Sequence, residues 1–321
     1  MRLRATLALA LSFCIAVPVM AQDATKLPLI GGLRIGSPAT VQPFVALLRE
    51  KLASLGYADG RNLRLDIRAV EQVERLSETA EALVQQGPTV IVTFGEATTR
   101  AAQNATRVIP IVAAADDLVA ARLVASLARP GGNTTGVSIL ATELDPKKLE
   151  VLKEILPAAR HVGVLNDPGA SVPARLSAMS HTARALGIDL QIVNVRGPDD
   201  FEAAFASLRA GGADGVNILA SPILSGSQDQ LGALSVKYRI PAICQFREMA
   251  EAGCLASYGI TRSELFALLA GSLDKVLKGA RPSDMPVQQP TNFELVINRR
   301  VARALGVEIP PAVLVRAEVI E

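Results

Sequence analysis

The stretch Pro88-Thr-Val-Ile-Val-Thr-Phe-Gly95 constrains the fold most. It is short, apolar and β-branched and stops at a glycine, as expected of a strand buried on both faces of a parallel sheet. Glu96-Ala97-Thr98-Thr99 follows without an intervening loop, so the chain turns from strand straight into a helix that runs through Arg100 to Ala105. A second apolar strand, Ile109 to Ala114, then stops at Asp116-Asp117. A strand–helix–strand unit of this kind puts its loops at the carboxyl edge of a sheet, where open α/β folds hold ligands. One loop is rich in hydroxyls and the other is acidic, so a ligand site is expected at residues 95–99 and 115–117.

The alternation extends along the chain. Leu33 to Gly36 reads as a strand, Val41 to Leu55 as a helix stopped by Gly56, Asn62 to Val70 as a partly exposed strand and Glu74 to Gln86 as a helix. After the central unit come a helix at Leu118 to Arg129, a Pro130-Gly-Gly-Asn133 turn and a strand at Thr135 to Leu140. The pattern then restarts, with helices at 145–156, 173–186, 199–209 and 228–238 between strands at 161–165, 190–195, 215–220 and 241–246. A strand at Leu255 to Gly259 leads into a long helix from Ser263 to Lys278. Two consecutive arrays predict two α/β lobes of similar build, each a doubly wound parallel sheet, joined by short crossovers that serve as a hinge. The expected division is a leader at 1–21, one lobe at 22–138 plus about 260–289, and a second at about 139–259 plus about 290–321.

With 321 residues the chain is long enough for two cores, and its apolar half is Ala, Leu and Val rather than aromatics. The formal charge of +2 includes Arg2 and Arg4 of the leader, without which acidic and basic residues balance. No basic run or aromatic–basic interleaving is present, so nucleic acid is not an expected partner. Arg2 and Arg4, the apolar run Leu7 to Val17, and Val19-Met-Ala21 before Gln22 read as an export signal cleaved after Ala21. The mature protein is then periplasmic. Of its thiols only Cys244 and Cys254 remain, and in an oxidising compartment they either pair or serve as two buried small hydrophobes.

Several separate stretches carry a resemblance. Leu55-Gly-Tyr-Ala-Asp-Gly-Arg-Asn62, Val124-Ala-Ser-Leu-Ala-Arg-Pro-Gly-Gly-Asn-Thr-Thr-Gly136, Phe246-Arg-Glu-Met-Ala-Glu-Ala-Gly253 and Gln289-Pro-Thr-Asn-Phe-Glu-Leu-Val-Ile-Asn298 appear in order, followed by Ala304-Leu-Gly-Val-Glu-Ile-Pro310. Together they resemble the ABC-transporter substrate-binding proteins of the tryptophan/tyrosine-binding type, which have the type I periplasmic-binding-protein fold. The resemblance implies two lobes closing on a small organic solute, such as an aromatic or other amino acid or a related amphiphilic acid. It further implies a monomer that delivers this solute to an ABC permease in the inner membrane, with no cofactor, metal or covalent chemistry.

Candidate ligand-binding residues lie at the predicted strand ends. Ser37 follows the first strand. Thr98 and Thr99 either hold a carboxylate at a helix start or cap that helix. Glu96 beside them would repel an acid, which weakens that assignment. Asp116 can accept an ammonium group, or it or Asp117 caps the following segment. Asn166 offers donor and acceptor, with a turn role before Pro168 as the alternative. Ser221 occupies an equivalent place in the second array. Phe246 and Tyr258 could stack on a flat ligand or pack in the core. Arg247-Glu248 reads as a surface ion pair or as a cleft-facing arginine.

Enzyme signatures are missing from the sequence. His161 and His181 form no metal pair at ligand spacing, and neither Gly-x-Ser-x-Gly nor His-Glu-x-x-His occurs. Arg129-Pro-Gly-Gly132 lacks the Gly-Lys-Ser/Thr of a phosphate loop. Two other functions share the expected fold: an exported sensory subunit, and a binder of sugars or nucleosides. The absence of Trp argues against sugars.

Overall fold

The computed structural model describes residues 27–170 and 172–321, so the expected leader at 1–21 lies outside it. Strand β1 (Leu29–Ile35) is buried along its whole length. Helix α1 (Pro38–Ser54) starts where Ser37 Oγ accepts from the Thr40 amide at 3.3 Å, with Pro38 fixing the first turn. It buries Val41, Phe44, Val45, Leu48 and Leu52, the spacing of one helical face. Strand β2 (Arg64–Val70), α2 (Leu76–Val84), β3 (Val90–Phe94), α3 (Glu96–Ala105), β4 (Ile111–Ala115) and β5 (Thr134–Ser138) complete a parallel sheet in the order β2-β1-β3-β4-β5. A Cβ at Gly136 in β5 would lie 1.9 Å from the Ala113 carbonyl oxygen, which explains a glycine in an otherwise ordinary strand.

The helix expected at Leu118 to Arg129 is not formed. A series of turns takes its place, with Arg122 at φ 55°. A left-handed residue interrupts the ladder of i→i−4 bonds. Asp117 Oδ1 accepts from the Val119 and Ala120 amides at 3.0 and 2.9 Å and the Leu118 carbonyl accepts from both Leu123 and Val124. Leu118, Ala121, Leu123 and Val124 are nonetheless buried against Val287. The apolar spacing that suggests a helix serves a compact turn cluster.

The chain next builds α4 (Ala141–Ile155), β6 (His161–Asn166), α5 (Pro173–Ala185), β7 (Asp189–Asn194), α6 (Phe201–Ala210), β8 (Gly215–Ile218), α7 (Pro222–Gly226), α8 (Gln228–Lys237), β9 (Ala242–Cys244), α9 (Arg247–Ala252) and β10 (Ala256–Ile260). The short helices α7 and α9 replace expected loop. The long helix α10 (Arg262–Leu277) crosses back to the first sheet, where it packs on α1, β3, β4 and β5. Beyond it, Thr135 Oγ1 donates to the Met285 carbonyl at 2.8 Å, and Gln288 bonds to Gly136 and Ser138. The chain then returns as β11 (Phe293–Asn298), antiparallel to β10, followed by α11 (Arg299–Leu305), α12 (Pro311–Leu314) and β12 (Glu318–Ile320). The second sheet has the order β12-β11-β10-β9-β8-β6-β7.

Both sheets therefore share one winding, with β1 and β3 in the first matched by β6 and β8 in the second as the neighbours between which the order reverses. Carboxyl ends of strands at such a switch point leave a crevice. Here the two crevices face each other.

Candidate ligand-binding cleft

Phe94, at the end of β3, stacks on Phe266 of α10 with ring centroids 5.6 Å apart, and the ring of Phe44 of α1 lies 6.1 Å from that of Phe266. These rings form one wall of an interlobe cavity of about 50 Å³. The opposite wall comes from the second lobe, through Ala220-Ser221-Pro222, Gln245 and Phe246.

The lobes are closed over this space. Gly95 has φ 98°, and a Cβ there would fall 2.7 Å from Pro222 Cγ. Ser221 Oγ accepts from the Ile223 amide at 3.1 Å and donates to Asp167 Oδ2 at 2.6 Å, which fixes the turn that presents Pro222.

Two arginines line the cavity. Arg34, on β1, is 4% exposed, and its guanidinium carbon lies 3.4 Å from the centre of the Phe44 ring. Among the described residues its Nη2 is buried with no hydrogen-bond partner. Burial, and then the like charge of Arg262, push its pKa down to about 9. Arg262, the first residue of α10, has its guanidinium carbon 4.8 Å from the Phe44 ring centre and 4.9 Å from that of Phe246. Its Nη2 donates to the Ser225 carbonyl and to Gln228 Oε1, while Nε is 3.4 Å from Glu248 Oε2. Burial lowers its pKa too, against the attraction of Glu248. Gln245 is buried with neither amide atom hydrogen-bonded.

At the cavity's other end Asp116 Oδ2 accepts from Arg175 Nη1 at 2.8 Å, a bond from the first lobe to the second. Arg175 also pairs with Asp145, which is 2.7 Å from buried Lys148. Lys148 Nζ donates in turn to the Ile218 carbonyl at 2.7 Å. Burial pushes Asp116 up to about 7 despite Arg175, and its fellow carboxylates Asp145 and Asp167 add to the rise.

Of the residues expected from sequence, Asp116, Ser221 and Phe246 line the cavity. Ser37 lines an adjoining recess between the lobes. Thr98 and Thr99 are fully buried outside that lining, with hydroxyls donating to the Gly95 carbonyl at 3.0 and 2.7 Å, back-bonds within their own helix rather than ligand donors. Glu96 pairs with Arg100 at 2.7 Å. Asn166 donates to Asn194 Oδ1 at 2.8 Å and is outside the lining. Tyr258 packs with the second lobe's other core cluster and stacks on Phe293 at 6.4 Å, also outside it. Cys244 and Cys254 are free and buried, so the disulfide alternative gives way to two packed thiols. Arg247 pairs with Glu251 and Glu318, and Glu248 turns instead to Arg262.

Sequence reasoning passed over Arg34, Phe44, Gln245, Arg262 and Phe266. Two of them left a trace. Arg34 is the single charge in the apolar run Leu29 to Ile35, and Arg262 puts a cation at a helix start, where the macrodipole disfavours it.

Residues 39–320 match the family described as ABC transporter substrate binding protein. The chain belongs to that family. A tyrosine-binding protein of Clostridioides difficile (strain R20291) is 28% identical over 269 residues, 83% of this chain and 76% of that one. A Streptococcus pneumonia ABC domain solved in complex with L-Trp superposes with TM-score 0.82 at 24% identity, covering 92% of this chain and 100% of that one. The ligand-free, open structure of a Clostridium difficile substrate binding protein with adhesive properties, also 24% identical and covering 92% and 99%, superposes at 0.63. The fold of this substrate-binding protein is that of the type I periplasmic binding proteins, and its family is one of solute binders rather than enzymes.

Proposed function

We propose that the chain is the exported solute-binding component of an ABC importer. It captures a small organic solute, an aromatic or other amino acid or a related amphiphilic acid, between a lobe of residues 22–138 with about 260–289 and one of about 139–259 with about 290–321. It works in the periplasm as a monomer and hands its solute to a membrane permease. The observation that carries this reading is the cavity at the two facing switch points, walled by Phe44, Phe94, Phe266 and Phe246 and shut by Pro222 against Gly95. Flat rings supply apolar area and stacking, while a few buried polar groups fix orientation, the usual composition of a small-molecule site. No bond of the solute needs to change, since a ligand touching both lobes favours the closed state by its differential affinity and the permease reads closure.

The test is a thermal-shift and scattering screen of the purified chain lacking residues 1–21 against amino acids, aromatic acids, sugars and nucleosides. An aromatic amino acid or acid should raise the melting temperature and shrink the particle. Turnover of a compound, or indifference to every class, refutes the reading.

A further inference from the structure

The cavity's charge is not balanced by its own walls. Arg34 and Arg262 both stand at the Phe44 ring of one phenyl-walled space, 3.4 and 4.8 Å from its centre, and the charge of Arg262 disfavours that of Arg34. The nearby carboxylate, Glu248, brings its buried Oε2 to 3.4 Å from Arg262 Nε, whereas among the described residues the buried Nη2 of Arg34 has no hydrogen-bond partner. Asp116 lines the same cavity, but its Oδ2 is engaged by Arg175. Gln245 adds an amide whose donor and acceptor are both buried and unmet. Buried charges in proteins are ordinarily paired and buried amides hydrogen-bonded. A buried guanidinium without either is a site missing its counter-ion.

The geometry points to an anion subsite formed by Arg34, Arg262 and Gln245, which makes a carboxylate an obligatory part of the solute and an α-ammonium group dispensable. This inference rests on the interlobe cavity being the solute site. It moves the carboxylate from the helix start at Thr98 and Thr99, whose hydroxyls are spent on Gly95, to the end of β1 and the start of α10. A guanidinium can bind carboxylate through two parallel N–H donors, and the Arg34 guanidinium carbon lies 3.4 Å over the Phe44 ring centre with its Nη2 unpartnered. The aromatic body of the acid then lies among Phe94, Phe246 and Phe266.

A series that shares one phenyl skeleton tests this: 3-phenylpropionate, L-phenylalanine, phenethylamine and 3-phenyl-1-propanol, titrated calorimetrically into the chain lacking residues 1–21. The two carboxylates are expected to bind, and the amine and the alcohol to bind at least roughly 100-fold more weakly, as for loss of one partner of a buried charge pair. Arg34→Met should abolish that preference, while the unliganded variant melts at or above the parent temperature because an unpaired buried charge has gone. Arg34→Lys should restore part of it. Equal binding of amine, alcohol and acid, or undiminished acid binding by R34M, overturns the anion subsite and leaves the solute-binding reading standing. Failure of all four compounds, together with failure of the wider solute screen, overturns both.

Discussion

Replacing Asp116 by Asn separates two opposing effects on the carboxylate that joins the lobes. Asp116 accepts from Arg175 at 2.8 Å, which favours its charge, yet burial disfavours that charge and Asp145 and Asp167 repel it. Burial prevails, and the carboxyl is pushed from 3.8 to about 7. A folded value above the unfolded one means that the folded protein holds a proton the unfolded chain has released. The stability contributed by this group is therefore fully present below about pH 3.8 and is lost as pH rises through about 7. Each pH unit in that window is worth about 1.4 kcal/mol, so pH 5 to 8 spans about 3 kcal/mol. Solvent reaches 20% of the side chain, and the screening lowers the expected effect to about 1.5 kcal/mol. Asn keeps the shape and an oxygen for Arg175 but does not titrate. Urea unfolding of parent and D116N at pH 5 and pH 8 cancels the other titrating groups in the difference. The variant should gain about 1.5 kcal/mol on the parent between the two conditions. A difference that stays constant, or that moves against the variant at pH 8, would show that the Arg175 pair outweighs burial.

Gly95→Ala should impair closure, because it puts a Cβ 2.7 Å from Pro222 Cγ at φ 98°. Removing Cγ as well, in G95A/P222A, should recover part of the solute affinity in a double-mutant cycle, and additive losses would refute a direct contact. Phe266→Ala removes the ring that packs against both Phe44 and Phe94 and should cost about 3 to 5 kcal/mol in urea unfolding, since the ring is 1% exposed. Burial raises the Cys244 thiol well above its ordinary value, so thiol reagents should leave Cys244 and Cys254 untouched in the native protein and label both in urea without reductant. Labelling that needs prior reduction would restore the disulfide.

Strand and helix order was legible as far as α10 because each strand up to β10 carries its own local sign, whereas β11, α11, α12 and β12 were not read. Val90 to Phe94 is fully buried and β-branched up to its closing Phe and the helix after it starts at once, and the two arrays repeat that arrangement closely enough to announce two sheets of the same winding. The failure at Leu118 to Arg129 has a definite source: apolar spacing reports burial, and burial there is met by turns around Arg122 rather than by a helix. Candidate residues were read at strand ends, and of these Asp116, Ser221 and Phe246 line the cavity. Phe44 and Phe266 instead reach the cavity from helix interiors, where the same spacing also fits ordinary core packing. Thr98 and Thr99 show the converse, since hydroxyls at a helix start bond inward as readily as to a ligand.

The position of Arg262 connects the proposed anion subsite to closure. Its helix packs on the first sheet, but its own donors reach Ser225 and Gln228, and its Nε approaches Glu248, all in the second lobe. Closing the lobes therefore brings Arg262 into its second-lobe contacts while burying it over the ring that Arg34 already covers. Unliganded closure leaves two neighbouring guanidiniums desolvated with Glu248 as partial compensation. A carboxylate held by both offsets that repulsion in the closed state and contributes less in the open one, where water solvates each arginine. If its affinity for the closed form is roughly 100-fold the higher, a protein about one-tenth closed becomes about nine-tenths closed at saturation. A neutral solute of the same shape gains the stacking without removing the repulsion, so for equal contact area it shifts the lobes less.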